Sequence, residues 1–169
     1  MKRMGGLVVA AVVTIQAISA LAFYPYYYTY YNPLMEALRP GRQDPNRGYG
    51  EGLELAAAYL AAEPNPQEMT ITAWYGRGPF SYFFPGETEP LKGVYQDPEN
   101  VPQLIETLRR SNYLVIYYAH QKIRNLPANV MAALEGIAPE HVIWLNGIEY
   151  VRIYRVEDLP PSFYASLGR

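Results

Sequence analysis

Apolar positions concentrate first at the N-terminus. Gly5 to Phe23, GGLVVAAVVTIQAISALAF, runs for nineteen residues without a charge. Only Thr14, Gln16 and Ser19 are polar, and a helix tolerates all three. A helix of about 20 residues spans the ~30 Å hydrocarbon core of a bilayer. Lys2 and Arg3 precede the run and no comparable basic cluster follows at once, which orients the N-terminus toward the cytoplasm. A cleaved signal peptide shares these features. Its basic start is present, and Ala20-Leu21-Ala22 has the small-x-small spacing of a cleavage site, although the run exceeds an h-region of about 7–15 residues. Both readings place the rest of the chain outside the cytoplasm.

Six tyrosines follow within eight residues: Tyr24, Tyr26, Tyr27, Tyr28, Tyr30 and Tyr31. Tyrosine collects where acyl chains meet water, its ring in one phase and its hydroxyl in the other. Pro25 and Pro33 stop helical continuity here. The segment is expected at the membrane interface, with some rings toward lipid and others toward protein.

Beyond it the period changes. Leu38 to Gly50 is polar and turn-rich, a loop. Leu53 to Ala62 is rich in Ala and Leu and stops before Pro64, a helix. Met69 to Tyr75 alternates and is β-branched, a strand. Gly76 to Pro98 reads as a long loop, with room for a short strand at Ser81–Phe84. Val101 to Arg110 reads as a helix that Asp97 or Asn100 can cap. Tyr113 to Ala119, YLVIYYA, is continuously apolar, the pattern of a strand covered on both faces. Helical pieces at Gln121–Arg124 and Asn129–Gly136 flank Pro127. The final signal is HVIWLNGIEYVRIYRV, two strand-like runs around Asn146-Gly147, the pair favoured in a two-residue type I′ hairpin.

The soluble order is therefore α-β-α-β-α-β-β. Helical crossovers imply parallel, right-handed connections for the first three strands, and the hairpin adds an antiparallel edge strand. The expected fold is α/β: an N-terminal transmembrane helix, then a small three-layer α/β sandwich with a mostly parallel sheet and a C-terminal β-hairpin. By segment, this is a transmembrane helix over 1–23, a tyrosine-rich interfacial segment and loop over 24–50, an extracytoplasmic α/β domain over 51–157 and an irregular tail over 158–169.

Composition narrows the chemistry. A formal charge of −2 supplies no broad basic surface for nucleic acid. The absence of cysteine excludes disulfides, thiolate zinc sites and a thiol nucleophile. Gly48 to Gly52, GYGEG, precedes a helix as a phosphate loop would. It follows a loop rather than a strand, lacks the GK[ST] ending, and carries Glu51, which suits a helix N-terminus but repels an anion there. His120 and His141 stand far apart and make no metal set. No catalytic residue, metal site or cofactor is expected. In a parallel sheet, ligands favour the carboxyl ends of strands. There the pattern brings together Tyr75, Arg77, His120 and Gln121, a set able to grip a phosphate or a sugar. The competing reading is a solvated loop edge, and no carboxylate partner for His120 is near in sequence.

Four segments together carry a resemblance: FYPYYYTYYNPLMEAL, GYGEGLELAAAYL, YLVIYYAHQKIRNLP and NGIEYVRIYRV. In order and spacing they resemble the C-terminal end of polytopic bacterial glycosyltransferases of the GT-C type, similar to dolichyl-phosphate-mannose protein mannosyltransferases and aminoarabinose transferases. The resemblance covers nearly all of the chain. It implies a last membrane helix, a tyrosine-rich hinge and an extracytoplasmic α/β domain that serves an enzyme using polyprenyl-phosphate sugars. The family's catalytic acidic residues lie upstream of the matching region, so none carries over. The resemblance implies either a piece of a larger transferase or a detached domain. Its expected partners are membrane lipid and the catalytic membrane part of such an enzyme.

Overall fold

A computed structural model describes residues 2–27, 50–74, 76–91, 97–118 and 127–168. The chain divides into two units, Met1–Asp44 and Pro45–Arg169.

In the first unit the apolar run forms helix α1 (Lys2–Leu21). Its Leu, Val and Ile side chains are exposed on every side, from Leu7 at 71% to Leu21 at 65%. After Leu21 the backbone tightens: the Phe23 N–H donates to Ala20 at 3.0 Å and the Tyr24 N–H to Leu21 at 3.1 Å. Among the described residues, no helix is long and apolar enough to cross a membrane. At ~1.5 Å per residue, the uncharged part from Met4 to Leu21 is about 27 Å long. The apolar run is helical, and the helix stops two residues before the run ends at Phe23.

The second unit opens with α2 (Leu53–Ala61), β1 (Thr70–Ala73), α3 (Pro79–Phe83) and β2 (Glu87–Pro90). It continues with α4 (Val101–Arg110), β3 (Tyr113–Tyr117), α5 (Ala128–Ala133), β4 (His141–Leu145), β5 (Ile148–Arg155) and α6 (Pro161–Ser166). The fold is mixed α/β around a five-stranded sheet in the order β2-β1-β3-β5-β4.

All five residues of β3 are buried, because helices cover both faces. Leu114 and Ile116 join Leu104 and Leu108 of α4, Val130 of α5 and Phe163 of α6 in one core. Val115 and Tyr117 take the opposite face by strand alternation. On that side Tyr59 of α2 stacks on His141 of β4, with ring centroids 4.1 Å apart. A buried polar chain ties β1 to the end of α4: Thr72 Oγ1 and Ser111 Oγ lie 2.7 Å apart, and Ser111 Oγ donates to the Thr107 carbonyl.

The hairpin forms as the sequence signalled. Asn146 and Gly147 have φ of 50° and 77°, as a type I′ turn requires. Its placement differs from expectation. Strand β5 inserts between β3 and β4, antiparallel to both, and β4 takes the edge. The sheet therefore has two parallel ladders, β1–β2 and β1–β3, and two antiparallel ones, rather than a mostly parallel set. Strand β5 has eight residues and buries Tyr150, Val151, Ile153 and Tyr154, whereas β4 has five and exposes Trp144. The longer, more apolar strand takes the interior position.

Two further corrections concern segments read as loops. Ser81–Phe84 does not form a strand. Pro79 starts a short helix, and Ser81 Oγ accepts from the Gly78 N–H at 3.0 Å. Downstream, Glu87–Pro90 pairs with β1 at the sheet edge, where Pro90, lacking a donor, is tolerated. Gly86 permits that approach: a Cβ there would stand 2.4 Å from the Pro66 carbonyl oxygen and 2.5 Å from that of Met69. The tail over 158–169 is not irregular either. It carries α6, with Phe163 and Leu167 buried, and the Leu167 carbonyl accepts from Asn129 Nδ2 at 2.8 Å.

Because Phe163 closes the core over β3, Phe163→Ala is expected to lower unfolding stability by about 3–5 kcal/mol. Urea denaturation of the full chain followed by tyrosine fluorescence checks this. A loss under ~1 kcal/mol would return the tail to a peripheral role.

Candidate functional site

Strands β1 and β3 are parallel neighbours, but their chains leave toward opposite faces. The chain after β1 enters α3, packed with α2 on one side, and the chain after β3 reaches α5 on the other. Such a switch point opens a crevice at the carboxyl ends of the two strands, where α/β folds place ligands.

The β1–α3 connection is held by backbone and side-chain bonds. Gly76 donates to the Ala73 carbonyl at 2.9 Å, and its own carbonyl accepts from Thr88 Oγ1 at 2.7 Å. This loop carries Arg77, exposed beyond the carboxyl end of β1. Of the four residues expected there, Tyr75, His120 and Gln121 lie outside the described residues. Among the interfacial tyrosines, Tyr24 and Tyr27 are exposed and meet edge to face at 6.0 Å, and Tyr26 is half-buried. Tyr28, Tyr30 and Tyr31 lie outside the described residues.

The GYGEG stretch meets the same end of β3 in an unforeseen way. Gly50 has a φ of 112°, a conformation that L side chains rarely adopt. Its N–H donates to the Tyr117 hydroxyl at 3.2 Å, and that hydroxyl donates to Glu51 Oε2 at 3.0 Å. Tyr117 is fully buried. Burial pushes its phenol far up, and the neighbouring Glu51 charge adds to the shift. Tyr150 packs edge-on against it at 6.2 Å and is pushed up to about 12, by burial first and Glu51 second. The turn is therefore no phosphate cradle. The Gly50 N–H is committed to a phenol, and a carboxylate stands where an anion would bind. Sixty-six residues separate Glu51 from Tyr117, so no local spacing signals the pair.

A second cluster lies at the opposite, amino end of the parallel strands. Arg155 donates through Nε to Glu140 Oε2 at 2.8 Å and through a terminal nitrogen to Oε1 at 3.2 Å. Tyr59 donates to the same Oε1 at 3.0 Å. Arg155 also sits over the Tyr113 ring at 5.2 Å and reaches Glu157 at 3.4 Å. Arg155 holds the Glu140 carboxyl below its ordinary value, with the Tyr59 hydroxyl assisting against burial. Glu63, Met69, Asn112, Tyr113 and Arg155 help line a depression of about 320 Å³ beside it. His141 serves here as a stacking partner for Tyr59. The charges largely satisfy one another, and the cluster staples α2 to the ends of β4 and β5.

Among the described residues, no group of three or more His, Cys, Asp or Glu stands placed to hold a metal ion. No protein-family model, curated protein or solved structure matches the chain.

Two outcomes follow from these contacts. Tyr117→Phe strands the buried Gly50 N–H and removes a donor from Glu51. It is expected to cost about 1–3 kcal/mol in denaturant unfolding; a neutral result would mean the turn does not depend on the phenol. Glu140 titrates lower in the folded than in the unfolded chain. Its contribution is present above the ordinary value of 4.5 and is lost as pH falls through the lower folded value. Glu140→Gln should therefore flatten the decline of thermal stability below about pH 5. An unchanged acid limb would assign that decline to other carboxyls.

Proposed function

We propose that this chain is a membrane-anchored, extracytoplasmic accessory domain of a glycosyltransferase that uses a polyprenyl-phosphate sugar, with the chemistry carried by a separate membrane part. One observation carries the membrane half of this reading. Helix α1 is apolar on all sides and exposes all of them, and exposed tyrosines follow it. A helix without a polar face has to be covered by lipid or by other apolar helices. Its uncharged part is a few ångströms shorter than a bilayer core. Local thinning and the basic residues Lys2 and Arg3 at the headgroups accommodate such a mismatch at fractions of a kcal/mol per ångström. The transferase half is supported by the order of the four resembling segments. The membrane helix, the tyrosine hinge and the α/β domain follow one another as they do in that family.

Alkaline carbonate extraction of cells producing the full chain tests the anchor. The protein is expected to stay with the membrane pellet. Val9→Lys with Val13→Lys should release most of it, since each central lysine costs about 2.5–3.5 kcal/mol on an insertion scale. Wild-type protein in the soluble fraction would overturn the anchor. The purified chain is expected to transfer no sugar from a polyprenyl-phosphate donor, and transfer would place the chemistry within it.

A second reading, a membrane-tethered or secreted module that binds a glycan or an anion, is favoured by one observation: the switch-point crevice with Arg77 exposed on a fixed loop. Arg77→Ala and His120→Ala should each weaken oligosaccharide or phosphate binding about tenfold, the worth of one charge-assisted hydrogen bond. Equal affinity in both variants removes the crevice as the site.

A further inference from the structure

The face of the sheet away from Glu51 holds a different arrangement. Beyond the end of β3, a cavity of about 390 Å³ is bounded by Tyr118, Met131, Leu134, Glu135, Gly136 and Arg152, with Ala132 at its edge. That volume lies within the ~300–1,000 Å³ typical of small-molecule sites and equals about a dozen liquid waters. It sits at the carboxyl end of β3, the ligand side of the sheet.

Arg152 is fixed there before any ligand arrives. It pairs through Nε and a terminal nitrogen with both oxygens of Glu149. Its other terminal nitrogen donates to the Tyr118 hydroxyl at 2.9 Å, and its guanidinium lies 3.9 Å from the centre of the Tyr118 ring. These bonds use three of the five guanidinium N–H groups. The buried Tyr154 hydroxyl belongs to the same cluster beside the Arg152 guanidinium. A guanidinium stacked on a ring and braced on three donors loses little conformational freedom when a ligand binds.

The chemistry of the lining selects the ligand. Glu149 already offsets the Arg152 charge, and Glu135 adds a carboxylate, so the cavity does not favour an anion. Met131, Leu134 and Ala132 supply apolar wall. Fixed N–H donors, carboxylate acceptors and apolar wall in one space match a group that donates, accepts and carries C–H surface. We infer that this cavity binds a neutral, ring-shaped polyhydroxylated ligand, a hexopyranose, with Arg152 and Glu135 bonding its hydroxyls. The inference rests on the cavity alone and stands whether or not α1 enters a membrane.

Saturation-transfer NMR on the full chain, in a detergent without a sugar headgroup, tests it with methyl mannopyranoside, methyl glucopyranoside and inorganic phosphate as probes. Transfer to the ring protons of at least one glycoside is expected. Ala132→Phe, at an exposed position of α5, should fill the cavity edge and raise the dissociation constant at least tenfold without unfolding the chain. Glu135→Gln should raise it about tenfold, the loss of one carboxylate hydrogen bond. Absence of transfer, binding of phosphate alone, or equal glycoside affinity in wild type and Ala132→Phe overturns the inference. Arg77→Ala serves as the contrast, since it weakens binding only if the crevice is the sugar site.

Discussion

Strand β3 has no face to turn toward water. Its five residues are buried, so an apolar layer must lie on each side. Helices α4, α5 and α6 supply one layer and α2 with α3 the other. This constraint sets the rest of the domain. The tail has to return across the sheet, because without Phe163 and Leu167 the core around Leu114 and Ile116 is left open. Helix α2 has to come from upstream of the first strand, because the opposite face needs cover before the sheet is complete. The same burial draws two polar groups inward. The Tyr117 hydroxyl cannot reach solvent, so the backbone of Gly50 and the carboxylate of Glu51 satisfy it.

What the sequence made legible follows from the range of each signal. The hairpin was readable because Asn146-Gly147 encodes its own turn. The central strand was readable because burial on both faces leaves an unbroken apolar run. The insertion of β5 between β3 and β4 was not readable, since strand order is decided by pairing over long separations and not by local pattern. Strand β2 was missed because Glu87–Pro90 has no strand composition. It pairs only because Gly86 lets the backbone close against Met69 and Pro66. The tail was misread because Pro160-Pro161 resembles a chain break, whereas Pro161 occupies the first turn of α6, where a missing N–H costs nothing. Of the expected ligand edge, the parallel pairing of β1 with β3 holds, and Tyr75, His120 and Gln121 lie outside the described residues. The Glu51–Tyr117 pair carried no sequence signal at all.

The two units obey different solvation rules. Among the described residues of the second unit the large apolar side chains are mostly inside, with Tyr82, Phe83 and Trp144 among the exceptions. In α1 the relation is inverted, with its leucines, valines and isoleucines exposed.

Arg152 and Arg155 stand three residues apart on β5 and therefore on opposite faces of the sheet. Arg155 is held by Glu140, Glu157 and the Tyr113 ring and borders the depression at the amino end of the parallel strands. Its partners account for its position, and breaking them loosens α2 from β4. Arg152 is bound as firmly, by Glu149 and Tyr118, and borders the cavity beyond β3. A structural arginine is expected to spend its hydrogen bonds on the fold. Both arginines do so, with three side-chain hydrogen bonds each. The two serve opposite faces of the sheet, and the proposed sugar site lies on the α5 face.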